Sequence, residues 1–320
     1  MNSRTTTTER TVRKERPIRA QEREWHLPIK QRAAKDPHAS MTVIRMNSTY
    51  LEVVDGMYPN RGLVGSFGLL GVTMFLCSFI LLLYVVIFEN YLNPKWDRQD
   101  EAEMLLALAF IAVFYAVFYS GLIYFLRKIG EWFGYTHTPI RLNRRNRKVY
   151  IWRGDGTVLE ADWDKVYFSF EIAKRVAGIT WLGISGLVLK DPETVEEAFY
   201  FGYTSASREY VLRYWEFLRR YMEEGPRAVM NAPGTEICLP IADKRETLLQ
   251  GWFALRSEDA SSPTLKWLMT PFHVLFFIGR LVHRVTSKVP LWPADVEAAC
   301  RIEPGDKYVR DSSSNPEGYR

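Results

Sequence analysis

Leu63–Phe88, with the sequence LVGSFGLLGVTMFLCSFILLLYVVIF, is a long apolar run without a charged side chain, and it decides the fold of this chain. A second uncharged run, MLLALAFIAVFYAVFYSGLIYFL, follows at residues 104–126. The hydrocarbon core of a bilayer is about 30 Å thick and a helix rises about 1.5 Å per residue, so about 20 apolar residues span it. A helix also satisfies its own backbone hydrogen bonds in lipid. The two runs therefore predict a transmembrane hairpin over residues 63–126.

The charges that flank the two runs predict the orientation of the hairpin. The residues between the runs are mostly acidic, whereas basic residues precede the first run at Arg61 and follow the second at Arg127 and Lys128. Basic residues remain on the cytoplasmic side of a membrane, and acidic residues contribute little to this rule. We therefore expect both termini in the cytoplasm and a short acidic loop outside. The first run begins too far from Met1 to be a removable signal peptide.

Small residues recur at helical spacing in both runs and predict a helix-packing face. These residues are Gly65, Gly68 and Gly71 in the first run, and Ala109, Ala112 and Ala116 in the second. Small side chains let helix backbones approach closely in lipid. Two uses remain open, which are packing of the two helices on each other and assembly of a homo-oligomer. Neither run contains an ionisable Asp, Glu, Lys, Arg or His, which argues against a transporter or a pump.

The composition sets weaker bounds on the protein. The 320 residues fit the hairpin plus one soluble domain of ordinary size. The net charge of +5 comes mostly from the N-terminal arm and the segments beside the membrane, which fits an anionic leaflet better than nucleic acid. Cys77, Cys238 and Cys300 have neither a disulfide framework nor metal-ligand spacing, so we interpret them as packing residues.

Outside the hairpin, the pattern predicts an α+β cytoplasmic domain. Alternating apolar residues between 140 and 203 predict a β-meander, and the apolar spacing at 208–224 predicts an amphipathic helix that closes it. By analogy, we expect a pleckstrin-homology-like sheet capped by this helix. The predicted segments are a disordered basic arm at 1–40, short strands before the membrane at 41–62, the hairpin at 63–126, the cytoplasmic domain at 127–310 and a disordered tail at 311–320.

A third apolar segment at residues 267–284 begins with WLMTPFHVLFFIG and is too short to span a bilayer alone. Thr270 and Pro271 are suitable residues for the start of a helix there. Arg280 and Arg284 follow the apolar residues closely. Two interpretations remain open, a helix at the membrane surface and a helix in a soluble core.

Motifs with a known chemistry are absent from the sequence. It contains no phosphate-binding GxxxxGK[ST], no GxSxG and no HExxH, and its histidines are scattered. Asp162 and Asp164 flank Trp163, so on a strand they share one face, and a solvated strand explains them more simply than acid–base catalysis. We predict no enzymatic activity, no metal and no cofactor.

A cluster of basic residues follows the second run and is the strongest charged feature. It consists of Arg141, Arg144, Arg145, Arg147 and Lys148. One interpretation is contact with anionic lipid headgroups or an acidic partner, since each basic group near an anionic surface contributes about 1 kcal/mol. The other is a signal that only sets the membrane orientation. Both remain open on the sequence.

The same region carries a resemblance to a known family. Thr138-Pro139-Ile140-Arg141-Leu142-Asn143-Arg144, Lys148-Val149-Tyr150 and Asp162-Trp163-Asp164-Lys165-Val166 resemble an uncharacterised family of bacterial membrane proteins with two transmembrane helices and a cytoplasmic domain opening with R-x-N-R, V-Y and D-W. Trp292-Pro293 and Cys300 resemble its closing segment. Genes of this kind are similar to those found beside type VI secretion effectors in Gram-negative bacteria. The resemblance implies an inner-membrane immunity or accessory protein.

Three functional classes follow from these observations. The first is a non-enzymatic inner (plasma) membrane protein that binds an effector or a secretion-apparatus protein. The second is a membrane-anchored sensor of anionic lipid or of another signal. The third is a small oligomeric pore-forming defence effector, and nucleic acid is not an expected partner of any of them.

Overall fold

The computed structural model describes residues 11–91, 98–176, 178–256 and 267–317, and the chain divides into two units. The sheet unit comprises Met1–Asn60, Tyr135–Ala254 and Lys288–Arg320, and the hairpin unit comprises Arg61–Gly134 and Leu255–Ser287. The strands are β1 (Thr11–Pro17), β2 (Val43–Met46), β3 (Tyr50–Val53), β4 (Ile140–Asn143), β5 (Lys148–Trp152), β6 (Val158–Asp162), β7 (Tyr167–Val176), β8 (Ile179–Asp191) and β9 (Thr194–Tyr200). The helices are α1 (Ala20–Glu24), α2 (Leu63–Tyr91), α3 (Arg98–Lys128), α4 (Arg208–Glu224), α5 (Leu248–Arg256), α6 (Thr270–Thr286) and α7 (Ala294–Ala299).

The five-stranded sheet has the order β2-β3-β4-β5-β6, with neighbouring strands antiparallel. Its central pair joins β3 to β4, with Tyr50 opposite Asn143 and Val53 opposite Ile140. The long insertion that contains α2 and α3 therefore lies between two strands that are direct neighbours. The strands predicted before the membrane at 41–62 are thus not a separate segment, because they pair with the strands that follow the hairpin.

The four-stranded sheet has the order β1-β9-β8-β7, also antiparallel. Its edge strand β1 corrects the prediction of a disordered arm at 1–40, since Thr11 pairs with Phe199 and Pro17 with Thr194. The backbone groups of β9 need partners on that side, and a charged strand satisfies them without any apolar periodicity. Arg16 also pairs with Glu22 in α1 at 2.6 Å. Residues 1–10 lie outside the described part of the chain.

The main core of the sheet unit is formed by both sheets and α4. Trp163, Phe168 and Trp215 are fully buried in contact with one another, with ring centroids 4.7–5.8 Å apart. Full burial of each large apolar side chain contributes about 1.5–3 kcal/mol. The amphipathic helix predicted at 208–224 is confirmed as α4, and it ends at Gly225, whose φ of 91° favours glycine. The α+β class is confirmed, and the pleckstrin-homology-like arrangement remains a prediction.

The C-terminal tail is ordered as far as it is described, which corrects the prediction of a disordered segment at 311–320. Asp311 accepts a hydrogen bond from the Ser313 backbone N–H at 2.8 Å. Buried Asn315 accepts from the Cys238 N–H at 2.8 Å and donates to the Cys238 carbonyl at 2.7 Å. An asparagine side chain paired in this way replaces a backbone partner, so the tail needs no apolar pattern. Residues 318–320 lie outside the described part.

The hairpin unit contains the two predicted apolar helices, confirmed as α2 and α3. Leu63–Phe88 and Ala102–Lys128 are each long and apolar enough to cross a membrane. The third apolar segment forms α6, which packs on α2 with the Phe67 and Phe276 rings 5.8 Å apart. Helix α6 begins at Thr270, with Pro271 in its first turn and Met269 at the N-cap position. One face of α6 is therefore a packing face, while Phe272 and Val274 are exposed.

Candidate functional site

The contact between α2 and α3 uses one of the predicted glycines and several aromatic residues. A Cβ on Gly68 would lie 2.7 Å from Leu126, so this glycine permits a close approach to α3. Farther along, Phe75 stacks on Phe118 with centroids 3.8 Å apart, and the Ser78 and Tyr115 hydroxyls lie 2.5 Å apart. The Tyr119 hydroxyl also donates to the Val72 carbonyl oxygen at 3.4 Å. Among the described residues, ring packing and these two hydrogen bonds hold α2 on α3.

The other predicted packing residues lie elsewhere. Gly65 faces the segment after α3, where a Cβ would lie 3.0 Å from the Trp132 indole nitrogen, and a Cβ on Gly71 would meet no atom within 4 Å. Ala109, Ala112 and Ala116 are exposed on α3 and are not part of its contact with α2. The two small-residue stripes therefore do not face each other, because α3 turns its larger Ile111 and Tyr115 toward α2.

A buried charged cluster lies at the start of α2. The Glu131 carboxylate accepts hydrogen bonds from the Gly62 N–H at 3.0 Å and the Gly65 N–H at 3.3 Å. It satisfies two backbone donors at a helix N-terminus, where a negative charge is favourable. Burial raises the pKa of Glu131, although the charge of Arg61 opposes this shift. Burial lowers the pKa of Arg61 in turn.

Helix α6 joins this cluster through two polar side chains. Arg280 donates to the Arg61 carbonyl oxygen at 3.4 Å, and the His283 Nδ1 lies 2.7 Å from the Glu131 carbonyl oxygen. The backbones approach closely beside them, because a Cβ on Gly279 would overlap the Ser66 hydroxyl and the Gly62 carbonyl oxygen. We define Arg61, Glu131, Arg280 and His283 as the helix-junction cluster, and it fastens α6 to the base of the hairpin.

Arg141 is buried in the sheet unit and is not part of a surface patch. Its guanidinium lies 4.4 Å from the Tyr50 ring centroid and 4.8 Å from the Trp292 ring centroid. It forms ion pairs with Glu52 at 3.0 Å and Glu297 at 3.1 Å. We call these five residues the Arg141 cage. Their geometry is that of a guanidinium held between two aromatic faces and two carboxylates.

The Arg141 cage fastens the C-terminal segment to the five-stranded sheet. Glu52 lies opposite Arg141 in neighbouring strands, and the Trp292 indole N–H donates to the Glu52 carboxylate at 2.9 Å. Burial disfavours the charge of Arg141, but the fields of Glu52 and Tyr50 and the pairing with Glu297 outweigh it and raise its pKa. The predicted contact of Arg141 with lipid headgroups or a partner is therefore corrected, since its side chain is fully enclosed by its own chain.

Two further cations of the predicted cluster are paired at its far end. Arg147 pairs with Asp164 and, at 2.7 Å, with Glu223 of α4. Lys148 pairs with Asp162 at 2.7 Å, and this bond, with one from Lys165, lowers the pKa of Asp162 to about 2. Strand β6 ends at Asp162, so Asp164 lies in the following turn and the two carboxylates do not share a strand face. Asp162 therefore pairs with Lys148 and Lys165, and Asp164 pairs with Arg147.

Arg144 and Arg145 remain at the surface turn between β4 and β5. The Arg145 side chain is 66% exposed and pairs with Glu303 at 2.9 Å, a pair that solvent weakens. The half-buried Arg144 guanidinium lies against Gly225, and no ion pair of Arg144 occurs among the described residues. We name these two residues the Arg144–Arg145 turn. Arg145 is the member of the predicted cluster that another molecule can reach most directly.

A comparison with known families identifies the chain. Residues 114–304 match the family model described as a family of unknown function, DUF6708, which covers more than half of the 320 residues. The chain belongs to DUF6708. No curated protein and no solved structure matches it. The DUF6708 region includes the whole segment from Thr138 to Val166 on which the resemblance rests, and its link to type VI secretion remains a prediction.

The DUF6708 region begins within α3 and ends after α7. It contains Arg141, Trp292 and Glu297 of the Arg141 cage, whereas Tyr50 and Glu52 precede it. Sequence reasoning singled out Arg141 but missed its partners. Glu52 and Arg141 are 89 positions apart, and Trp292 lies far beyond both. A local sequence pattern cannot predict this pairing, because only the register of β3 on β4 brings Glu52 and Arg141 together. Glu131 was missed for the same reason.

The buried thiols of this DUF6708 protein are poorly suited to nucleophilic chemistry. Cys238 and Cys300 are free and buried, and burial raises the pKa of the Cys238 thiol to about 11. A thiol of this kind is protonated at neutral pH and is a poor nucleophile. Over the described ranges, no group of three His, Cys, Asp or Glu side chains is arranged to hold a metal ion.

An open pocket of about 250 Å³ lies on the sheet unit beside β2. Its charged lining residues are Arg45, Asp243, Lys244 and Asp311. Arg45 pairs with Asp243 at 3.5 Å, and Asp311 accepts hydrogen bonds from Ser313 in its own turn. Most of these charges already have partners within the chain, so the pocket is a shallow polar surface.

Proposed function

We propose that this DUF6708 protein is a non-enzymatic protein of the inner membrane that holds a protein-binding domain at the cytoplasmic surface. The observation that carries the proposal is the pairing of β3 with β4 on either side of α2 and α3. Because the two helices are inserted between adjacent strands, the sheet unit is attached to them through two neighbouring strands. Such a connection suits a domain that acts as a receptor beside a bilayer.

The charge pattern of the sheet unit supports a binding role over an enzymatic one. Several of its buried charges are held in ion pairs, such as Arg141 with Glu52 and Arg219 with Glu216. A general acid or base needs a side chain free to exchange a proton with a substrate. The Arg144–Arg145 turn is instead a cationic surface that suits an acidic partner protein, because exposed charges govern encounter and choice of partner.

The most specific form of the proposal is an immunity or accessory protein for a type VI secretion effector. The resemblance of residues 138–166 to membrane proteins encoded beside such effectors motivates it. In this role the sheet unit binds one effector and neutralises or escorts it.

The test is affinity purification of the tagged full chain from its native host in detergent. The wild type is compared with Arg144→Glu/Arg145→Glu and with a control, Lys165→Glu/Lys190→Glu, whose exposed lysines each pair with one carboxylate. We expect one dominant effector-like protein with the wild type and the control, and its loss with the first variant. Cells that produce this effector should then survive only with the wild type or the control. Recovery of lipid or of the chain alone from the wild type would contradict the proposal.

Self-association is the second candidate, and one observation favours it. Ala109, Ala112 and Ala116 lie on one exposed stripe of α3 that the hairpin does not use. In lipid such stripes allow a second helix to approach closely. Disulfide crosslinking in native membranes tests this self-association, with Ala112→Cys introduced in a Cys77→Ala background. The control is Tyr124→Cys, at another exposed position of α3. Crosslinked dimers at position 112 alone support an oligomer, and their absence excludes contact through this stripe.

A further inference from the structure

Helix α5 in the sheet unit is apolar on the side that faces away from the protein. Leu248, Leu249 and Phe253 are 55%, 52% and 48% exposed. At 100° per residue they lie on one side of the helix, with Trp252 between them. Soluble helices normally turn large apolar side chains toward a core. The exposed face of α5 therefore requires a different explanation.

The opposite side of α5 is packed on the sheet unit through small residues. Gly251 is buried, and Ala254 packs against the apolar cluster of Ile44, Val54, Tyr58 and Ile241. The helix thus contacts the protein with its smallest side chains and presents its largest ones outward. This distribution is the reverse of a soluble amphipathic helix and is typical of a helix that contacts lipid.

The start of α5 is a defined structure, so the exposed face is held in place. The Thr247 N–H donates to the Gln250 side chain at 2.8 Å, and the Gln250 N–H donates to the Thr247 hydroxyl at 3.3 Å. These two bonds form a capping box. Just before it, the Tyr58 hydroxyl donates to buried Glu246 at 2.7 Å. The first turn is therefore fixed both to itself and to the sheet unit.

The charges beside α5 favour a bilayer as the occupant of its exposed face. Lys244 and Arg245 are exposed immediately before the helix. Cations beside an apolar helix face suit anionic headgroups, with the apolar side chains in the acyl boundary and the aromatic rings at headgroup level.

Continuity with the membrane part of the chain points to the same occupant. In sequence, α5 is followed after ten residues by Trp267 and Leu268, which are exposed and precede α6 of the hairpin unit. From these observations we infer that α5 is a membrane-docking helix, inserting Leu248, Leu249 and Phe253 into the anionic cytoplasmic leaflet. This surface is distinct from the Arg144–Arg145 turn, and it adds a lipid contact to the proposed protein-binding role.

The test uses the full chain with Cys77→Ala and one introduced cysteine, at a single copy per lipid nanodisc that contains phosphatidylglycerol. An environment-sensitive fluorophore is attached at Leu249→Cys or, as the control, at Lys190→Cys on an exposed position of β8. Cys238 and Cys300 are buried, so they provide little background labelling. We expect a blue-shifted emission at position 249 that nitroxide-labelled lipids quench, and neither effect at position 190.

Equal emission and quenching at the two positions would overturn the inference. A blue shift at position 249 without quenching by labelled lipid would also overturn it, because a protein rather than lipid would then cover the face. Adding Lys244→Glu and Arg245→Glu should reduce the quenching, and unchanged quenching would contradict the role of the charges. The pull-down from the host does not depend on this result, so failure of the lipid contact and failure of the proposed function are distinguishable.

Discussion

The two units of this protein place apolar and polar side chains in opposite ways. In the hairpin unit, the neighbours Ser66 and Phe67 are 0% and 56% exposed, so the hydroxyl is inside and the ring is outside. In the sheet unit, the neighbours Lys148 and Val149 have the usual order, with the apolar side chain buried. This difference fits the proposed insertion of the hairpin in a bilayer, because a helix surrounded by lipid gains nothing by burying its apolar side chains.

Removing one charge from the Arg141 cage should give the largest effect. We expect Arg141→Ala to destabilise the sheet unit by about 3–5 kcal/mol, because it leaves the buried Glu52 carboxylate without its cation. The measurement is denaturant unfolding of the full chain in detergent, followed by tryptophan fluorescence. The matched control is Arg145→Ala, whose exposed pair with Glu303 contributes about 1 kcal/mol or less. Equal losses in both variants would show that the cage is not a core element.

Crowding the glycine contact between α2 and α6 should have the next largest effect. Gly279→Ala places a methyl group on the Ser66 hydroxyl and the Gly62 backbone, and overpacking of this kind costs about 1–3 kcal/mol. The thermal melting temperature in detergent reports the loss. Gly71→Ala in α2 is the control, because nothing lies within 4 Å of its added Cβ. A melting temperature unchanged by Gly279→Ala would refute the close approach of these helices.

Acid should weaken the sheet unit through the ion pairs of α4. Burial opposes the charge of Glu216, but hydrogen bonds from Arg219, Ala33 and Arg220 lower its pKa below the usual 4.5. The folded state therefore binds this proton less readily than the unfolded state. The resulting stability is present above pH 4.5 and is lost as the pH falls through the lowered pKa. Unfolding free energies at falling pH should drop less steeply for Glu216→Gln, and identical slopes would contradict this.

Loss of the hydrogen bond between Ser78 of α2 and Tyr115 of α3 should have the smallest effect. Tyr115→Phe removes the contact of its hydroxyl with Ser78. Hydrogen bonds between membrane helices contribute about 0.6 kcal/mol on average, because the alternative states in lipid also find partners. Tyr124→Phe, on an exposed position of α3, provides the control. The unfolding free energy is measured by steric trapping in bilayers. A decrease of several kcal/mol, well above about 0.6 kcal/mol, would contradict this small expected contribution.

Periodic patterns predicted the elements of both units. The uncharged runs gave α2 and α3, and the apolar spacing at 208–224 gave α4 with the same bounds as the structure. Both signals are local, since they depend on side chains within one element. The strand β1 was missed because four of its seven residues are charged, which an edge strand tolerates.

The pairing of distant residues was not predictable from the sequence. Arg141 looked like a surface cation because four other basic residues lie close to it in the chain. Its burial depends on Glu52, Trp292 and Glu297, which reach it only through the sheet register and the return of the C-terminal segment. The outward position of the alanine stripe of α3 was also not predictable from α3 alone. It follows from the packing of Ile111 and Tyr115 toward α2.

We propose that the hairpin spans the membrane and that the sheet unit lies in the cytoplasm. The direct measurement is labelling of introduced cysteines by a membrane-impermeant maleimide in right-side-out membrane vesicles, with Cys77→Ala. Lys95→Cys lies between the two apolar runs, and Lys165→Cys lies at an exposed position of the sheet unit. The account predicts that position 95 reacts in intact vesicles and that position 165 reacts only after permeabilisation. Reaction of both positions from the same side would contradict it.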